Sequence, residues 1–259
     1  DSLDGDVLFE EFLSNPKTYP DPQDERKLAP EAVEAREALA TLQASAGTGH
    51  PTPFYALLLM DGDSLGAHMG NSDKQPKITE GLKTFTDGVP ELVKRHNGFP
   101  IYAGGDDVLA LLPLEDALPC AAELRGEYLA AFKDSGIPTT LSGAVLYAHV
   151  RTPLTQLIQR AHSLLDDVAK AATGRDALAV EVRKPGGVAA TWAMPWEKAL
   201  ADDGEQVELG RLARGLRDAN GEAPFASRFF YALRERFALL NPETGGDGEA
   251  VAGGLDEAQ

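Results

Sequence analysis

The sequence predicts an α+β protein built around a ferredoxin-like (split βαβ) domain, with a helical C-terminal appendage. Three observations carry this reading. Short apolar runs are bounded by turn formers, apolar stripes at helical spacing lie between them, and the order along the chain is β-α-β-β-α-β-α-β. FYALLLM (54–60) is the first buried strand. Ile78, Leu82, Phe85, Val89, Leu92 and Val93 recur at helical spacing up to about His96, with Pro90 as a kink position. FPIYA (99–103) and VLALL (108–112) are strands joined only by GGDD. Ala117, Ala121, Leu124, Tyr128 and Phe132 share one face of a helix over 115–133, and TLSGAVLYA (140–148) is a strand. Leu154, Leu157, Ile158, Ala161, Leu164, Leu165 and Val168 form the cleanest amphipathic stripe, and ALAVEV (177–182) follows as a strand. The first six of these elements should make an antiparallel sheet with helices on one face.

The flanks have a different texture. Residues 1–27 read as an irregular leader; from Pro30 the run PEAVEAREALATLQA predicts a helix ended by Gly47, and GTGHPTP (47–53) is a linker. Trp192, Met194 and Trp196 lead into helices expected over about 205–219 and 225–240. Trp192 and Trp196 would cap the sheet or a domain junction. The Gly/Glu/Asp-rich stretch after Asn241 has little to bury and is expected to be disordered. This divides the chain into a leader with helix and linker (1–53), a sheet domain (54–196), a helical domain (197–241) and an acidic tail (242–259). The first residue is Asp1 rather than Met, which suggests a piece of something longer.

Composition narrows the function classes. The 259 residues are 43% hydrophobic and 25% charged, ordinary for a globular chain. With 24 Lys+Arg against 41 Asp+Glu the formal net charge is −17, a poor match for coating nucleic acid by bulk electrostatics. Phosphate chemistry must then be local and metal-assisted. Cys120 is the one cysteine, which excludes an internal disulfide and a thiolate zinc cluster and fits a reducing, cytoplasmic setting. No apolar run approaches the ~20 residues needed to cross a bilayer, so no membrane partner is expected.

Two constellations carry the chemistry. In MDGDSLG (60–66) a fully apolar strand ends in Asp61 and Asp63, and Gly62, Ser64 and Gly66 open a turn. A solvated strand end would read the same, since Asp and Gly are turn formers. In AGGDDVLALL (103–112), Gly104 and Gly105 suit a tight hairpin, but turning does not require Asp106 and Asp107 before a buried strand. Adjacent carboxylates repel unless a cation neutralises them, and a hard divalent ion such as Mg²⁺ or Mn²⁺ prefers carboxylates plus substrate phosphates. In a split βαβ sheet the first strand is central and neighbours the hairpin, so all four acids should converge at one sheet edge. They suit two-metal phosphoryl or nucleotidyl transfer. Lys170 and Arg175 flank the end of the amphipathic helix; cations favour helix C-termini anyway, but beside a metal site they would also hold a triphosphate. His50, His68, His96, His149 and His162 lack metal-ligand spacing, and only His68 lies near the DGD turn.

MDGDSLG and YAGGDDVLALLP resemble the palm domain of the large polymerase-like subunit of type III CRISPR effector complexes, especially the subtype-B form, a fold related to GGDEF diguanylate cyclases and class III nucleotidyl cyclases. The similarity covers about 54–196, and the C-terminal part is similar to a thumb-like domain. The resemblance implies conversion of ATP into 3′–5′ cyclic oligoadenylates when the complex binds target RNA, with guide RNA and target RNA reached mainly through other subunits. It implies metal binding by Asp61, Asp106 and Asp107, with Asp63 as a further ligand. Nucleotide contacts would come from Gly62, Ser64, Leu65, Gly66, Gly104, Gly105, Lys170 and Arg175. The nuclease domain, zinc-binding cysteines and second palm of that family are not seen in this sequence. Palm–palm pairing, a partner chain or the rest of a longer chain would then complete the site. Two other readings stand beside this one: a palm kept as a scaffold module of an RNA-guided complex, and a diguanylate cyclase, against which Val108 after Asp107 counts.

Overall fold

A computed structural model of the chain describes residues 10–46, 52–184, 186–201, 204 and 206–215. The chain divides after Pro53 into two compact units. The first holds α1 (Glu10–Leu13), the antiparallel pair β1 (Pro20–Asp21) and β2 (Asp24–Leu28), and α2 (Pro30–Ala46). Part of the expected irregular leader is therefore a small hairpin. Its turn is closed by the Asp21 carboxylate, which accepts from the backbone N–H of Gln23 at 2.7 Å and of Asp24 at 3.2 Å. Leu13, Ala32 and Leu39 are its buried apolar residues.

The second unit begins with β3 (Phe54–Asp63), the short α3 (Gly66–Met69) and α4 (Gln75–Arg95). It continues through β4 (Phe99–Gly104), β5 (Asp107–Leu112), α5 (Ala117–Phe132) and β6 (Thr140–His149). After β6 comes α6 (Leu154–Ser163), which runs directly into a π-helical segment, Leu164–Ala172. β7 (Ala177–Lys184), β8 (Gly187–Pro195), α7 (Trp196–Ala199) and α8 (Glu208–Gly215) close the described chain. Helix α4 passes through Pro90 without interruption. The predicted helix over 225–240, the end of the one over 205–219 and the tail lie outside the described residues. No helix among the described residues is long and apolar enough to cross a membrane.

The sheet order is β4-β5-β3-β6-β7-β8, antiparallel throughout except for the parallel β6–β7 pair. Its first four strands have the split βαβ order with β3 central, as the element sequence predicts. Ala56, Leu58 and Met60 face α4 and α5, while Leu57 and Leu59 face α6 and the π-helical segment. Helices thus cover both faces, the second layer coming from the helix after β6. Burial on both sides is why β3 reads as a continuous apolar run rather than an alternating one.

Three elements differ from expectation. β3 does not stop at Met60: Asp61, Gly62 and Asp63 stay paired with Ser142, Leu141 and Thr140 of β6. Residues 187–195 form β8, hydrogen-bonded along β7 from Ala177↔Pro195 to Lys184↔Gly187, and Trp192 lies within it. Its sequence GVAATWAMP offers few β-branched residues, so no strand signal stands out. Trp196 is fully buried, and Ala199 and Val207 belong to the same core as α4 and α5. The start of the C-terminal region therefore packs on the sheet domain.

Glu181 of β7 is fully buried and answered by charge. The Arg160 guanidinium donates to it from Nε at 3.0 Å and from Nη2 at 2.5 Å, and Arg183 Nη1 donates at 3.2 Å. Removing one partner of a buried pair costs about 3–5 kcal/mol, whereas an apolar replacement of both partners is often neutral. Arg160→Met is therefore expected to destabilise the protein in chemical denaturation, and adding Glu181→Leu to recover most of the loss. A double variant less stable than Arg160→Met would contradict this account.

Candidate active site

The β3–β5 ladder ends at Met60↔Val108, so the next residues, Asp61 and Asp107, stand side by side at the sheet end. Period-2 alternation puts both on the face covered by α6 and the π-helical segment. Between β4 and β5 the turn is Gly105–Asp106. Gly105 has φ +65° and Asp106 does not share a positive φ, the pattern of a II′ hairpin with glycine first. From α4, Thr86 Oγ1 donates to the Gly105 carbonyl at 2.9 Å and fixes the turn. A Cβ on Gly62 would lie 2.6 Å from Asp106 Oδ2 and 2.7 Å from the Tyr128 hydroxyl. Glycine at 62 is thus what lets the Asp106 carboxylate lie against β3. Asp61, Asp106 and Asp107 each offer an oxygen, and these oxygens lie within 4.8 Å of one another.

The charge in this cluster is only partly answered. Lys170, carried by the π-helical segment, donates to Asp61 Oδ2. Burial raises the Asp107 pKa to about 6, helped by its hydrogen bond with Asp61 and the charges of Asp61 and Asp106, with Lys170 opposing. Burial also raises Asp106, and the Asp61 charge adds to the rise. An all-carboxylate donor set fits hard divalent cations such as Mg²⁺ or Mn²⁺. π-helical turns recur at functional sites, and this one delivers the cation that faces the acids.

Asp63 stands apart from the trio. It is 2% exposed, and its carboxylate accepts from Ser142 Oγ at 2.8 Å, Thr140 Oγ1 at 2.8 Å and the Asp176 backbone N–H at 3.1 Å. With its oxygens taken by β6 and by the turn before β7, Asp63 is not among the three acids whose oxygens gather here. Ser64 follows with φ +67°, Leu65 is buried, and Gly66 opens α3. The Tyr102 hydroxyl crosses Gly104, where a Cβ would meet it at 2.4 Å. Arg175 is exposed on the turn between the π-helical segment and β7. His68 Nδ1 lies 3.2 Å from Lys74 Nζ. Sequence reasoning missed Arg125, Thr140, Ser142 and Asp176. The one available signal was the three hydroxyls of TTLS (139–142), of which Thr140 and Ser142 lie opposite Asp63 and Asp61.

A carboxyl whose folded pKa lies above its unfolded value stabilises the fold at low pH, and this contribution fades as pH rises through the folded pKa. For Asp107 that window runs from the ordinary Asp value near ~4 up to about 6. Asp107→Asn is therefore expected to raise the Tm of the metal-free protein above pH 6, with the gain shrinking toward pH 4. A Tm difference independent of pH would rule out carboxylate repulsion as its cause.

Comparison with known proteins agrees with this fold. Residues 54–179 match the family described as Cas10/Cmr2, second palm domain. The CRISPR system Cmr subunit Cmr2 of Pyrococcus furiosus is 29% identical over 179 residues, covering 58% of this chain and 21% of the relative. The Cmr2 of Saccharolobus solfataricus is 31% identical over 97 residues, covering 30% of this chain and 9% of the relative. The chain thus spans about a fifth or less of the curated relatives it matches. Among solved structures, the cryo-EM apo state of the type III-B Cmr-beta complex has a TM-score of 0.55 at 16% identity, covering 82% of this chain and 34% of that one. The Csm1–Csm4 cassette in complex with cA4 gives 0.53 at 18% identity, covering 74% and 30%. Over residues 54–179 this chain is therefore similar to the second palm domain of the Cas10/Cmr2 family.

Proposed function

We propose that this palm is the metal-dependent nucleotidyltransferase centre of a type III CRISPR effector in the cytoplasm, joining ATP units into 3′–5′ cyclic oligoadenylates on target RNA recognition. The supporting observation is the convergence of Asp61, Asp106 and Asp107 within 4.8 Å, with Lys170 meeting them from a distant helix. In this reading the three carboxylates hold Mg²⁺ or Mn²⁺. When bound, such ions favour the ionised form of an attacking 3′-hydroxyl and stabilise departing pyrophosphate. Lys170 and Arg175 orient the triphosphate by charge-assisted hydrogen bonds. The backbone at Gly62, Ser64, Leu65, Gly66, Gly104 and Gly105 contributes amides near the phosphates. In each coupling the 3′-oxygen bonds to the α-phosphorus of the next ATP, the bond from that phosphorus to pyrophosphate breaks, and the hydroxyl proton passes to water. Guide and target RNA act through other subunits, and a second palm or the rest of the subunit completes the ring-forming site.

Calorimetric titration with a non-hydrolysable ATP analogue tests the site on the chain itself. Binding is expected with Mn²⁺, absent without it, and abolished in Asp106→Asn/Asp107→Asn. Lys170→Ala should weaken it about tenfold, the scale of one charged hydrogen bond. In the assembled complex with target RNA, pyrophosphate release from ATP should vanish in Asp106→Ala/Asp107→Ala. Unchanged release in that variant would overturn the proposal and favour a scaffold role.

A further inference from the structure

The turn that carries Arg175 is unusual in its backbone. Gly174, Arg175 and Asp176 have φ of +98°, +71° and +42° in succession, and only the first is a glycine. Such left-handed runs are unfavourable for L residues and persist where the surroundings over-determine them. Here the surroundings are explicit. The Arg175 N–H donates to the Ala169 carbonyl at 3.2 Å, and the Trp196 N–H donates to the Asp176 carbonyl at 2.7 Å. The Asp176 carboxylate accepts both arms of Arg125, Nε at 2.8 Å and Nη2 at 2.9 Å. The Asp176 N–H is held by Asp63 at 3.1 Å.

Each partner is itself fixed. The Arg125 guanidinium lies 5.6 Å from the ring centre of Trp196, which is fully buried and donates from Nε1 to the Leu141 carbonyl at 2.9 Å. Asp63 is locked to β6 by Thr140 and Ser142. Asp63 lies on the same strand as Asp61, about 7 Å further along at the usual strand rise. Arg175, next in sequence to the anchored Asp176, is thus tied to the strand that bears the metal cluster.

We infer that Arg125, Asp176 and Asp63 form a positioning device that holds the Gly174–Asp176 turn so that Arg175 meets the phosphates of the nucleotide. This rests on the nucleotide reading of the site. None of the three needs to touch metal or substrate. Arg125 acts through a bidentate fork that lysine cannot reproduce.

The test separates metal binding, nucleotide binding and turn order in the folded chain. In Arg125→Ala, Mn²⁺ affinity should stay within about twofold of wild type, while the affinity of the ATP analogue at saturating Mn²⁺ falls about tenfold. Arg125→Lys should fall between the two and carries the test where Arg125→Ala fails to fold. Hydrogen exchange at the Arg175 and Asp176 amides should be slow in wild type and fast in the variants, with β3 and β6 amides unchanged. Nucleotide affinity unaltered in Arg125→Ala, or lost in proportion to Mn²⁺ affinity, overturns the inference. So does continued protection of the turn amides. If wild type binds Mn²⁺ but no nucleotide, the reading of the site fails instead, and exchange at the turn alone then decides whether the device positions it.

Discussion

Three carboxylates with oxygens inside 4.8 Å repel one another, and the surrounding fold is arranged to tolerate that repulsion. Asp61 and Asp107 are fixed by the strand register, which cannot slip without moving every core residue of β3 to the opposite face. Asp106 is fixed by a glycine-led turn and by the missing side chain of Gly62. Without a metal, relief comes from Lys170 and from the rise of the Asp107 pKa to about 6. Each is a partial answer. The remainder is carried by a core buried on both sides of the sheet, which keeps the cluster from spreading apart.

The choice of lysine over arginine at 170 follows from that situation. In the absence of metal its ammonium neutralises Asp61, and in the proposed reaction it faces phosphate instead. A compact charge on a flexible stem can serve both partners by rotation about its own bonds, whereas a planar guanidinium is best used where one geometry is held. The chain uses arginine in that second way at 125, where Asp176 is gripped by two parallel hydrogen bonds. The flexible cation thus meets the acid cluster, and the forked one holds the turn before β7.

Much of this was legible in the sequence, and the failures have specific physical causes. The apolar run 54–60, the GGDD hairpin and the stripe ending at Val168 each report a short-range pattern, and the structure has the corresponding elements. The split βαβ order then brings Asp61 beside Asp107 without any further information. What local pattern could not give is which of two acids one residue apart faces a partner. Asp61 and Asp63 point to the same face, and only the register with β6, which sets Thr140 opposite Asp63, distinguishes the acid in the cluster from the anchor. β8 and the leader hairpin were invisible for a related reason. An alanine-rich strand is recognised by its neighbour's hydrogen bonds, and a two-residue pairing at Pro20–Asp21 by an Asx contact, not by composition.

The region seen here is a small part of its relatives, about a fifth of the Pyrococcus Cmr2 and less of the Saccharolobus one. Yet the acid trio, the cation facing it and the anchored turn are all supplied within residues 61–176 of one palm. That division has a physical logic. Metal ligands need tight mutual geometry, which a single sheet with one register provides. The proposed ring closure and response to RNA would need changes of arrangement between bodies, which a rigid sheet cannot provide. A net charge of −17 disfavours direct binding of long RNA by bulk electrostatics. In the proposed function, an acidic palm could then stand near bound RNA while its site cations serve the phosphates of a nucleotide.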